Sequence, residues 1–140
     1  MNAWNMIPIL LLALTFVYQL VLNIVQYRSA NNPTPANVAD VYDEETYSRW
    51  KRYAAENSRL NLISGFVSFG VMLALLATKA YAAFAGLFGV HMYLQMLAVI
   101  LLDVVLTAFV NVIFDYIHTM VIEQKYGFNR STVKTFVIDQ

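Results

Sequence analysis

The residues able to do chemistry in this chain lie along one apolar stretch and its exit. Asp103 sits near the middle of a run, Met92 to Phe114, that holds no other acid, no base and no histidine. Asn111, Asp115 and His118 follow at spacings that put them on one helix face with Asp103. A carboxylate at that depth costs about 2.5–3.5 kcal/mol on insertion scales, so it must face a partner or water. Two readings stand for Asp103. It contacts a polar chamber or accepts a proton, or it is held by hydrogen bonds from groups such as Gln19, Asn23 or Asn111. The second is favoured for Asp103 alone, while the four residues together are expected to line a chamber. Asp115-x-x-His118 has the look of half a metal site. One carboxylate and one imidazole are too few ligands, and a helix-end hydrogen bond is the expected role.

The elements that position these groups follow from composition. The chain has 140 residues, of which 59% are hydrophobic and 13% charged. Soluble domains carry about 25% charged residues, so the deficit points to an integral membrane protein. Nine basic and nine acidic residues leave no net charge, which gives a nucleic-acid partner no electrostatic support. There is no cysteine, which excludes disulfides and thiolate-held metal. The two histidines, His91 and His118, cannot build a His-rich zinc site.

A span needs about 20 mostly apolar residues. Three stretches qualify, about 4–25, 60–78 and 92–114, and the expected fold is all-α and transmembrane. The first has no basic residue ahead of it and is too long for a signal peptide, so it reads as a retained helix from Trp4. Thr15, Gln19 and Asn23 share one face of it, with Tyr18 beside them, and are expected to meet another helix. In the second span Ser64, Gly65, Ser68 and Gly70 are expected to admit a close neighbour. The third is expected to run on as helix to about Lys125. The link from Lys79 to Gly89 is too short to cross.

Between spans one and two, residues 28–59 are polar. Pro33 and Pro35 mark a loop. Thr46–Ser58 reads as an amphipathic helix on the membrane surface, with Tyr47, Trp50, Tyr53 and Ala54 on its apolar face. Acidic residues open it and basic ones follow, which suits the helix dipole. Arg28, Arg49, Lys51, Arg52 and Arg59 in this loop, and Lys125, Arg130 and Lys134 in the tail, set the orientation. By the positive-inside rule the loop 28–59 and the C-terminus are cytoplasmic and the N-terminus is outside. No internal repeat suggests a transporter of inverted halves.

The tail, 121–139, carries a specific string: Val-Ile-Glu-Gln-Lys-Tyr-Gly-Phe-Asn-Arg-Ser-Thr from Val121, then Phe136 and Asp139. It resembles the end of the N-terminal membrane domain of integral-membrane CAAX prenyl endopeptidases, the zinc-dependent type that matures prenylated pheromones and lamin precursors. Arg28, the two prolines, Asp43 to Tyr47, and Tyr53 with Glu56-Asn57-Ser58 fall in the order that family shows. The signature residues are Glu123, Lys125, Tyr126, Gly127, Phe128, Asn129, Thr132 and Asp139. Gly127 is expected to turn the chain at the end of the long helix. Asn129 or Ser131 is expected to cap the next one. The string is expected either to dock on the cytoplasmic metalloprotease region or to act as a helix cap with an interfacial aromatic pair.

The resemblance implies a multi-helix peptidase around a large chamber, with zinc held by a later His-Glu-x-x-His. His91 is followed by Met-Tyr-Leu-Gln and His118 by Thr-Met-Val-Ile, so no catalytic or zinc residue carries over. The chain reads as the N-terminal membrane portion, residues 1–140, of such an enzyme, with the catalytic half missing. No cofactor is expected in it, and zinc is expected in the full-length protein. Its expected partners are membrane lipid and the missing catalytic half or a separate catalytic subunit. Two rivals are a stand-alone transporter-like oligomer using Asp103 and a non-catalytic regulatory subunit.

Overall fold

A computed structural model of the chain describes residues 3–29, 32 and 43–139. The proline loop, with Pro33 and Pro35, lies outside the described residues, as do the side chains of Trp4 and its neighbours up to Asn5.

Helix α1, Ala3–Ser29, is the first apolar run. Pro8 falls early in it, where a missing N–H costs little. Arg28 in its last turn suits the dipole. Helix α2, Glu44–Ala77, spans 34 residues. Asp43 caps it by accepting from the Thr46 N–H at 2.6 Å, and that bond holds the Asp43 carboxyl below its usual range. Thr78 closes α2 with its hydroxyl on the Ala74 carbonyl at 2.7 Å, and Lys79 turns the chain at φ 58°. The short helix α3, Ala80–Gly86, follows. Helix α4, Met92–Tyr116, continues through a π-helical turn, Ile117–Glu123, to Tyr126. Helix α5, Val133–Asp139, ends the described chain.

Three helices are long and apolar enough to cross a membrane, at 24, 34 and 35 residues. The amphipathic segment does not form a separate surface helix: it is the N-terminal half of α2. At 1.5 Å per residue α2 and the extended α4 are each about 50 Å long. A hydrocarbon core of about 30 Å leaves about two-fifths of each outside it. Both run antiparallel, so the charged start of α2 and the Lys125 end of α4 project on the same side, where Tyr27 of α1 also meets Arg59 of α2.

The packing face of α1 differs from the expected one. Thr15 donates to the Leu11 carbonyl at 2.8 Å and Asn23 to the Gln19 carbonyl at 2.9 Å. These polar groups are satisfied inside their own helix, and Thr15, Gln19 and Tyr18 stay exposed. The face that meets α2 carries Phe16, which stacks on Phe69 at 4.3 Å and meets Phe66 edge-on at 5.0 Å. Nor do the α2 glycines admit a close neighbour: a Cβ added at Gly65 or Gly70 would meet nothing within 4 Å among the described residues.

Lipid is as apolar as a leucine side chain, so shape and ring geometry hold α1 to α2. Phe16→Ala removes two aromatic pairs and is expected to cost about 1–3 kcal/mol. Reversible unfolding in mixed micelles measures it; an unchanged midpoint would contradict this packing.

Candidate functional site

The signature tail folds back on the first half of α2. Gly127, at φ 77°, is left-handed, and its N–H bonds the Gln124 carbonyl at 3.1 Å. The Phe128 N–H reaches the Glu123 carbonyl at 2.9 Å. This is the helix-ending turn that glycine favours. The tail then runs outward: Asn129 donates to the Thr119 carbonyl at 3.0 Å and accepts from the Ser131 N–H at 2.7 Å. Gln124 donates to the Ser131 carbonyl at 3.0 Å. The cap of α5 is neither Asn129 nor Ser131. Thr132 holds it, accepting from the Thr135 N–H at 3.3 Å, because Asn129 is already spent on tying the turn to the long helix. Asp139 is exposed at the end of α5.

Against this turn α2 sets aromatic rings and one acid. Tyr53 meets Tyr126 and Phe128 edge-on at 5.6 and 4.8 Å. Arg49 lies over the Phe128 ring at 5.6 Å. The Glu56 carboxylate accepts from the Lys125 ammonium and from the Tyr126 hydroxyl, the latter at 3.0 Å. Farther along, Tyr116 meets Phe136 of α5 at 5.5 Å. Among the described residues the buried side chains are Ser58, Ala98, Ile122, Tyr126 and Phe136. Four of these five belong to this joint outside the apolar spans. The apolar face of the amphipathic segment is thus split: Tyr53 packs on the tail, while Trp50 remains 48% exposed.

The π turn sets His118 against Glu123, Nδ1 to Oε1 at 3.9 Å. In an α-helix residues five apart point about 140° away from each other. The wider π register brings them to one side. His118 therefore faces Glu123.

Deeper in, the polar residues divide into two places. Asn111, Asp115 and His118 of the long helix meet Asn61 and Ser64 of α2 around a cavity of about 240 Å³. Asp103 is not among them. It accepts a 2.6 Å hydrogen bond from the Tyr81 hydroxyl of α3, in place of the expected Gln19, Asn23 or Asn111. Sequence reasoning missed Tyr81 and Asn61. The signal for Tyr81 was a single phenol in an Ala- and Gly-rich link beside a span that contains a lone acid.

Among the described residues no three His, Cys, Asp or Glu side chains come together as metal ligands. His118 has one carboxylate nearby, and zinc needs three or four ligands.

Three apolar helices, two of them overlong and tied outside the bilayer by a charged and aromatic joint, define an integral-membrane helical domain. The sequence matches the family described as CAAX prenyl protease N-terminal, five membrane helices, over residues 23–140. The chain belongs to that family, as its N-terminal domain. In fold it is similar to the crystal structure of Ste24p from S. mikatae, with a TM-score of 0.78 and 22% identity. That likeness covers 99% of this chain and 35% of Ste24p. No curated protein matches it.

Aromatic burial, more than the exposed ion pair, holds the joint. Tyr126→Ala is expected to cost about 3 kcal/mol, within the range for emptying a buried aromatic site. Lys125→Met should cost clearly less, since exposed ion pairs contribute little. Gly127→Ala should cost about 1–2 kcal/mol from its left-handed backbone, because its new Cβ would meet only the Arg49 guanidinium at 3.9 Å. Unfolding midpoints of the three variants test this order. A Lys125 variant as damaging as Tyr126→Ala would reverse it.

Proposed function

We propose that this chain is the membrane scaffold of a prenyl-protein-type zinc endopeptidase. It forms part of the chamber wall and contributes neither a catalytic residue nor a zinc ligand. The family match over residues 23–140 carries this reading. The catalytic His-Glu-x-x-His, its zinc and the substrate-cleaving step belong to another part of the enzyme or to a separate catalytic subunit, which is the chain's protein partner. Membrane lipid surrounds the three apolar helices. Asn111, Asp115 and His118, gathered around one cavity, are the chamber-facing residues. The signature residues position the projecting ends of α2 and α4, and the outer side of that joint is where the catalytic region docks.

In this reading the joint is cytoplasmic and the α2–α4 link lies outside. The basic residues of 28–59 and of the tail support that orientation. The chain has no cysteine, so single cysteines report it without background. Glu45→Cys should react with an impermeant maleimide only from the cytoplasmic side and Val90→Cys only from the outside. The reverse pattern would refute the orientation.

Activity is tested with a farnesylated CAAX peptide. The purified 140-residue chain should leave it intact and retain no stoichiometric zinc. The enzyme containing this chain together with a His-Glu-x-x-His region should cleave it, and Tyr126→Ala should lower kcat more than it raises KM. Cleavage by the 140-residue chain alone, or an inert complete enzyme, would overturn the proposal.

A further inference from the structure

Asp103 lies between two cavities, of about 390 and about 150 Å³. The larger is bounded by all four of the first helices, with Pro8 and Leu12 of α1, Met72 of α2, Tyr81 of α3 and Ile100 of α4. A volume of that size is within the range of small-molecule pockets. Its walls are apolar apart from the Asp103 carboxylate and the Tyr81 hydroxyl. The Tyr81 oxygen is 2.6 Å from Asp103 Oδ1 and 3.1 Å from the Met72 sulfur. A phenol has one proton to donate, and the carboxylate is the better acceptor. Asp103 Oδ2 has no hydrogen-bond partner among the described residues, and it is not sealed from the space beside it.

We propose that this cavity binds a single-chain amphiphile with an ammonium head. The alkyl chain would lie along the apolar walls and the head would donate to Asp103 Oδ2, while Tyr81 holds Oδ1 and fixes the carboxylate's orientation. Charge decides the occupant. Lipid tails offer an alkyl chain the same contacts as Leu12 or Ile100, so apolar contact alone selects nothing. An acid in apolar surroundings attracts a cation with less solvent screening than one in bulk water. An anionic head would be repelled, and a neutral one would gain a single uncharged hydrogen bond. Nothing in this site depends on the peptidase reading, and its test needs no cleavage.

The test uses the 140-residue chain in phosphatidylcholine nanodiscs, titrated with dodecylammonium, dodecanol and dodecyl sulfate. Saturable binding of dodecylammonium is expected, weakened about tenfold or more by Asp103→Asn, which removes a charged hydrogen-bond partner. Dodecanol should bind weakly and be insensitive to that substitution. Ile100→Trp, which fills the cavity and leaves Asp103 in place, should also abolish binding. Helicity and monodispersity of each variant are checked first. If Asp103→Asn fails to fold, Ile100→Trp decides: full binding to the filled cavity overturns the proposal. Equal affinity for dodecanol, no saturable binding, or binding unchanged in a folded Asp103→Asn variant also overturns it.

Discussion

Two helices in this chain are longer than a bilayer is thick, and much of the structure follows from that mismatch. An apolar helix in lipid satisfies its own backbone and needs no tertiary partner to be stable there. The excess turns of α2 and α4 lie outside the hydrocarbon. There water competes for every polar group, and an unsupported helix end frays. Those turns are the part of the molecule that most needs packing, and most of the buried side chains among the described residues are found there. Ser58, Ile122, Tyr126 and Phe136 are buried along these projecting ends. The antiparallel course of the two helices makes this workable, because it sends both surplus ends to the same side.

Within the spans a different economy holds. Burial from lipid gains little, so ring geometry and a few polar contacts carry the specificity. Phe16 between Phe66 and Phe69 sets α1 against α2. Tyr81 on Asp103 ties the short helix α3 to the middle of α4. Thr15 and Asn23 show the opposite outcome. Each finds a carbonyl in its own helix, and among the described residues the face they mark is not the one that meets α2.

The tail string is first of all a folding device. Gly127 allows the reversal, Asn129 ties it to the helix behind it, and Lys125, Tyr126 and Phe128 meet Glu56, Tyr53 and Arg49. Those partners come from the same polar stretch that carries the family's order of residues. Two motifs about 70 positions apart in sequence are the two sides of one joint. Lys125 and Glu56 are the pair a sequence reader would emphasise, yet Lys125 is exposed and Glu56 only half-buried, whereas Tyr126 beside them is buried.

Much that depends on near neighbours along the chain was legible before any tertiary contact was known. The three apolar runs, the short non-crossing link, the Gly127 turn and the helical course to Lys125 depend on residues within a turn or two of one another. The family, too, was legible, because the tail is an unusual string. The tertiary structure decided which distant groups meet. Periodicity placed Asp103, Asn111, Asp115 and His118 on one face, but the neighbours of that face split them: Asn61 and Ser64 surround the outer three, while Tyr81 takes Asp103. The π turn, which sets His118 against Glu123, changes the register by one residue and leaves no mark on hydrophobic periodicity. The continuity of α2 through Ser58 was hidden for a similar reason. A change from charged to apolar composition reads as a boundary, whereas the backbone hydrogen-bond ladder passes through it uninterrupted.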